Sequence, residues 1–287
     1  QSHDWYDSRS GYTKAYEQQI LMLLVNSTIS DVSIKEDLGY KAIEAIIDRY
    51  IDTEVNWNDF DSIGLLGIDE ISLKKGYKDY VTLITSKTAG GVKIISIIKG
   101  REKAEVKKFL MSIPGNLKET VDAVCTDMCD GFINAAKEAL GTSIPVIADR
   151  YHVSKLYRKC LVSLRKQELK KLRKSMTKEE YRELKPAISL LCKRKECDIN
   201  EQEKEQLEPL FKAAPKIKEA YSLCLKLTAI YNRHSTPEES LATIREWITS
   251  VEQSKITCFK CFIETLKKYK NDRSNYFINR NTSGFVE

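Results

Sequence analysis

No stretch of this 287-residue chain is apolar for long: the longest aliphatic run, Ile20–Val25, falls far short of the ~20 residues that a spanning helix needs. The start lacks the charged-then-apolar pattern of a signal peptide. Twelve Gly and six Pro are too few for a low-complexity or collagen-like chain. The eight Cys form no dense framework, and a chain of this size needs no disulfide staples, which fits a reducing compartment. Cys258-x-x-Cys261 is the sole CxxC and supplies half a zinc site; Cys125 with Cys129, and Cys192 with Cys197, add no second pair, so the thiols read as buried or inert. These absences exclude an integral membrane protein and lead us to expect a soluble, cytosolic one. The length suits two domains, or one domain with a large insertion. The chain starts at Gln1 and stops at Glu287, and we read it as a fragment of a longer protein.

What is present is an uneven charge. The total is +6, yet residues 1–64 carry 5 Lys+Arg against 12 Asp+Glu, whereas residues 150–197 carry 16 against 5, a net +11. A polyanion would prefer this second segment, since its cations can displace counterions from phosphates; a solvated helix face is the plain alternative.

Apolar spacing divides the chain. Residues 1–12 read as a linker. Tyr16, Ile20, Leu23 and Leu24 predict a helix over 14–26, Ser30 caps a short second helix, Gly39 ends it in a left-handed turn, and Ile43, Ile46, Ile47 and Tyr50 form the face of a third. That is a helix-turn-helix pattern over 13–52, although Glu44 and Asp48 offset Lys41 and Arg49 in its last helix. A linker, 53–64, follows. Apolar runs at Leu65–Ile68, Tyr80–Ser86, Val92–Ile98, Val121–Cys125 and Ile144–Ala148 predict five strands; Gly90-Gly91 marks a hairpin, and helices fall at 102–113 and 131–140, with Asp130 as the expected cap of the latter. The order β-β-β-α-β-α-β is a mixed sheet with helices on it. From His152 the pattern is helical: 152–176, a helix opened by the Thr177-x-x-Glu180 capping box, then about 200–213, 215–231, 237–252 and 254–270.

Two acids follow strands, Asp69 after the first and Asp127 after the fourth. If those strands are neighbours, both carboxylates emerge at one sheet edge, where they can hold hard divalent cations; two such ions bracket the attacking and leaving oxygens of an in-line phosphoryl displacement. Acids at strand ends also cap turns, and Glu70, beside Asp69, points to the other strand face.

Three motifs then carry a family resemblance. Gly67-Ile68-Asp69-Glu70-Ile71-Ser72, followed by Lys74-Lys75-Gly76 and Tyr80, is the first; Asp149-Arg150-Tyr151-His152-Val153 is the second. The third runs from Glu239, Leu241 and Trp247-Ile248 to Tyr276-Phe277 and Asn279-Arg280-Asn281-Thr282-Ser283-Gly284-Phe285-Val286-Glu287. In this order they resemble the transposases of bacterial insertion sequences, in the branch called IS-L-three. The resemblance implies an RNase H-like catalytic core over 65–154, an all-helical insertion over 155–270, and a return to the core over 271–287 with a truncated final helix. It implies an Asp-Asp-Glu triad of Asp69, Asp127 and Glu287 holding two Mg²⁺ or Mn²⁺ ions, with Asp149 and His152 behind it. DNA cleavage and strand transfer would follow, on double-stranded terminal inverted repeats and target DNA, by a homodimer in the bacterial cytoplasm and nucleoid. Lys155, Arg158, Lys159, Arg165, Lys166, Lys170 and Arg173 are the expected DNA contacts, and Lys74, Lys75 and Lys78 either touch phosphate or sit on a solvated turn. His152 reads as a packed residue rather than a ligand, and Trp247 as core, or else as a platform for an unpaired base. Family members carry a cysteine zinc finger ahead of the helix-turn-helix that these residues lack, and prefer Asn where Ser283 stands. With its last helix cut at Glu287, the chain is expected to be weak as an enzyme. The other readings are an inactive DNA-binding remnant and a nuclease of the same fold.

Overall fold

The structure is a computed structural model that describes residues 5–6, 10–50, 54–72, 80–191 and 198–283. The chain forms two compact units, residues 1–56 and 57–287.

The first unit holds three helices: α1 (Lys14–Leu24), α2 (Ile29–Lys35) and α3 (Tyr40–Tyr50). Ile20, Val32, Leu38, Ile43 and Ile46 meet in its core. Two local expectations need correction. The cap of α2 is Thr28, not Ser30, because Thr28 and Asp31 exchange hydrogen bonds in a capping box (3.1 and 3.3 Å) and Ser30 already lies in the first turn. The left-handed residue is Asp37 (φ 49°), not Gly39; Asp tolerates this conformation better than most side chains. Within this unit Glu17 is 1 % exposed and is held by Ser10, Arg49 and the Tyr50 hydroxyl (2.9 Å). Burial raises its pKa, but these donors outweigh it and leave the carboxyl below its usual range.

The second unit is built on five strands: β1 (Gly64–Ser72), β2 (Tyr80–Thr88), β3 (Gly91–Lys99), β4 (Val121–Thr126) and β5 (Val146–Ala148). They lie in the order β3-β2-β1-β4-β5. β1 to β3 are antiparallel in sequence order, as the hairpin signal predicts, whereas β4 runs parallel to β1 and β5 parallel to β4. Central β1 is buried on both faces, which explains its unbroken apolar run. On one face Leu65 joins Ala123, Cys125 and Ile147 in a core shared with the helices that follow; Leu66, Ile68 and Val124 are buried on the other. Gly64 opens β1 with φ 62°, and a Cβ there would lie 2.6 Å from the Lys87 carbonyl oxygen, so the crossing of β1 and β2 demands glycine.

Helices α4 (Lys103–Ser112), α5 (Gly115–Lys118) and α6 (Asp130–Leu140) connect the strands, with α4 against α6 and α6 against β4 and β5. Asp130 is not the cap of α6. Cys129 occupies that position without a side-chain bond, and Asp130 instead accepts from Lys268 and from the Tyr269 hydroxyl (2.8 Å).

The remainder is helical: α7 (Arg150–Ser175), α8 (Lys178–Glu183), α9 (Lys185–Leu190), α10 (Glu201–Ala213), α11 (Pro215–Asn232), α12 (Pro237–Gln253), α13 (Lys260–Lys268), α14 (Lys270–Ser274) and α15 (Tyr276–Asn279). α7 turns Val153, Tyr157, Leu161 and Leu164 inward at helical spacing. The expected helix over 254–270 starts only at Lys260. Ser254 accepts from the Ile256 N–H (3.1 Å) and donates to the Val251 carbonyl (2.7 Å), so its hydroxyl competes with helix continuation while Ile256 and Phe259 enter the core. Trp247 is core: its ring packs edge-on against Phe259 and Phe262, and its N–H donates to the Leu223 carbonyl (2.9 Å). The last helices return to the sheet, where Lys137 pairs with Asp272 (2.7 Å) and the Asn275 amide donates to the Val146 carbonyl (2.8 Å). Among the described residues no helix is long and apolar enough to cross a membrane.

Candidate functional site

The parallel pairing of β1 with β4 sets Ile68 opposite Thr126, so Asp69 and Asp127 are the next residues along two adjacent strands running the same way. Strand order therefore meets the condition that the sequence left open. Asp69 is 8 % exposed, and its Oδ1 accepts from the Glu70 N–H (2.7 Å). Asp127 is half-buried, and its Oδ1 is a buried oxygen without a hydrogen-bond partner. Burial raises the Asp127 pKa; His152 opposes this, and the neighbouring carboxylates Asp69 and Glu70 push it up further. Carboxylates are thus concentrated at this point of the sheet.

His152 sits in the first turn of α7, with its Nε2 3.7 Å from Asp69 Oδ1 and its ring edge-on to Tyr151. Asp149 lies behind it, 1 % exposed, as the N-cap of α7. Both residues of the second motif thus lie beside the aspartates. Glu70 leaves the pair: Arg101 binds it at 3.1 Å and lies over the Tyr80 ring (4.6 Å). Glu287 and Lys74, Lys75 and Lys78 fall outside the described residues. Among the described residues no three His, Cys, Asp or Glu side chains are grouped to hold a metal ion. Asp69 and Asp127 form a carboxylate pair in which the unpartnered Oδ1 of Asp127 suits a hard cation.

The seven expected DNA contacts on α7 divide in two. Lys155, Lys159, Lys166, Lys170 and Arg173 are exposed, and at 100° per residue they share one face, over ~27 Å of helix. His152 belongs to the same face, so this stripe starts beside the aspartates. Arg158 and Arg165 are half-buried, and Arg158 donates to the Thr228 hydroxyl (3.3 Å). Spacing alone did not reveal Arg150, which binds the Tyr276 hydroxyl (3.2 Å) and Asn232, nor Thr282 and Ser283, which both donate to Asp149. The only signal for these was membership of the second and third motifs.

The chain is similar to transposases of insertion sequences. A helix-turn-helix domain of transposase family ISL3 matches residues 1–51, and a family described as transposase, of the same ISL3 type, matches residues 66–287. The transposase for insertion sequence element IS1001 of Bordetella parapertussis is 23 % identical over 266 residues, covering 92 % of this chain and 64 % of its own length. The transposase for insertion sequence element IS1557 of Mycobacterium tuberculosis (strain CDC 1551 / Oshkosh) is 22 % identical over 286 residues, covering 93 % of this chain and 63 % of its own length. The chain thus spans just under two thirds of the length of these curated relatives. Since the match to the larger pattern runs through both aspartates, the Asp149–Val153 motif and the segment that grips Asp149, the chain belongs to the transposase family ISL3, the IS-L-three branch.

Proposed function

We propose that this chain is the part of an insertion-sequence transposase that cuts DNA at element ends and joins the freed 3′-hydroxyls to target DNA. The buried, unpartnered Oδ1 of Asp127 beside Asp69, at the adjacent positions of two parallel strands, carries the reading. An RNase H-like core with an Asp-Asp-Glu triad fits the strand order β3-β2-β1-β4-β5. Asp69 and Asp127 would hold Mg²⁺ or Mn²⁺, with Glu287 as the third ligand. Two such ions supply Lewis acidity to the phosphorus and lower the pKa of an attacking water or hydroxyl. The chain's own residues do the rest. The rigid β1–β4 pair fixes both carboxylates before substrate arrives, which lowers the reorganisation needed in the reaction. His152, on the first turn of a 26-residue helix, keeps its imidazole edge next to Asp69. The stripe from Lys155 to Arg173 offers phosphates a path away from the pair, and double-stranded terminal repeats and target DNA, bound by a homodimer, are its partners in this reading. Arg158 and Arg165 would steady that path from its inner side.

The test is Mg²⁺- or Mn²⁺-dependent nicking of element-end DNA. Asp69→Asn, Asp127→Asn and Glu287→Gln should each reduce cleavage by at least ~10³-fold, in the range of other single electrostatic catalytic groups, with DNA affinity within about threefold of wild type. Cleavage that survives Asp127→Asn would sink the reading.

A further inference from the structure

Both carboxylate oxygens of Asp149 are occupied. Oδ1 accepts from the Tyr151 N–H at 2.6 Å. Oδ2 accepts from the Ser283 N–H (2.6 Å), the Thr282 hydroxyl (2.9 Å) and the Ser283 hydroxyl, with the Cys125 thiol at 3.9 Å. The Asp149 N–H itself donates to the Thr126 carbonyl (2.8 Å), one residue before Asp127. One side chain therefore joins the end of β4, the turn of α7 that carries His152, and the segment at 282–283, across 133 and 134 residues of sequence. Oδ2 is thereby fully engaged, while Oδ1 accepts one bond, so the carboxylate is held chiefly by the segment at 282–283.

Resting on the reading above, we infer that Asp149 is a positioning residue of this site: through Thr282 and Ser283 it tethers the segment at 282–283 to the end of β4 that precedes Asp127 and to the turn of α7 that bears His152. Ser283 is then the second half of the tether. An Asn at that position still offers a side-chain N–H donor to Asp149.

The experiment compares wild type, Asp149→Asn, Ser283→Ala, Ser283→Asn and the Asp149→Asn/Ser283→Ala double variant of the full chain. Two readouts are needed: amide hydrogen exchange of the metal-free protein, and steady-state cleavage of element-end DNA. Asp149→Asn turns one acceptor into an N–H donor facing other donors. It should speed exchange at Ser283 at least tenfold while the amides of β4 keep their protection. Asp149→Asn and Ser283→Ala should each lower kcat at least tenfold with KM for DNA unchanged, and the double variant should be no worse than the worse single one, because both break the same tether. Ser283→Asn should restore kcat to within threefold of wild type. Unchanged exchange at Ser283, or losses that multiply in the double variant, would overturn the proposal. If Asp149→Asn does not fold, Ser283→Ala must still raise exchange over 282–283 and lower kcat, or the tether is wrong. Cleavage that survives Asp69→Asn would instead defeat the catalytic reading, and the exchange data then decide the tether alone, since they require neither metal nor DNA.

Discussion

At the scale of single residues, the site is a place where the fold works against itself. Asp127 is raised by burial and by two carboxylate neighbours, against the opposing pull of His152 and of a hydrogen bond from the Cys129 backbone. A carboxyl whose folded pKa exceeds its unfolded value favours folding fully below the unfolded pKa, and this contribution is lost as pH rises through the folded pKa. At neutral pH the metal-free protein therefore bears the whole penalty. Asp127→Asn should remove it, raising metal-free stability by about 0.5–2 kcal/mol, typical of relieving a functional constraint, and flattening the decline of Tm with rising pH. Thermal melts with chelator from pH 4 to 8 check this, and a variant less stable than wild type at pH 7 would contradict it. Gly64 makes the opposite case, of backbone that tolerates no change. Its positive φ and the nearby Lys87 carbonyl leave no room for a side chain, so Gly64→Ala should cost about 1–3 kcal/mol, the usual range for enforced strain, measured by urea unfolding.

Among the elements, α7 carries the clearest electrostatic pattern. If its stripe follows phosphates, replacing Lys166, Lys170 and Arg173 by Gln should reduce the slope of log K against log salt by about 0.9 for each phosphate no longer neutralised, with equal weakening for specific and random DNA. Unchanged binding would leave the stripe a solvated face. The same helix shows what sequence could and could not disclose. Its apolar face was legible, because Val153, Tyr157, Leu161 and Leu164 repeat at helical spacing, and the first three strands were legible, because a glycine pair joins β-branched runs. Caps were less so. Thr28 and Asp31 beat Ser30 through a reciprocal pair of bonds, and Asp130 gave up its capping place for Lys268, a partner 138 residues away. Local signals are shared by several neighbouring residues, and distant partners choose between them.

For the molecule as a whole, the pairing of β1 with β4 was the step that local periodicity could not supply, and it is what brings Asp69 beside Asp127. The acids themselves were visible beside apolar runs, although Asp69 lies inside β1, which continues to Ser72, rather than after it; the grip on Asp149 was not visible, because Thr282 and Ser283 lie at the far end of a long helical stretch. Those straps also impose an order in time. Lys137–Asp272, Asp130–Tyr269, Val146–Asn275 and Asp149–Ser283 each close a loop of 129 to 139 residues around nearly all of the helices from α7 on. Contacts of such separation slow folding, because the loop must be closed before they contribute. In refolding, tryptophan fluorescence should report burial of Trp247 before the Ser283 amide gains protection in pulsed exchange. On the ribosome, at about 5–20 residues per second, the two aspartates emerge roughly 7–30 s before the strap that completes their surroundings. Both aspartates would thus leave the ribosome well before the segment that grips Asp149 can reach the end of β4.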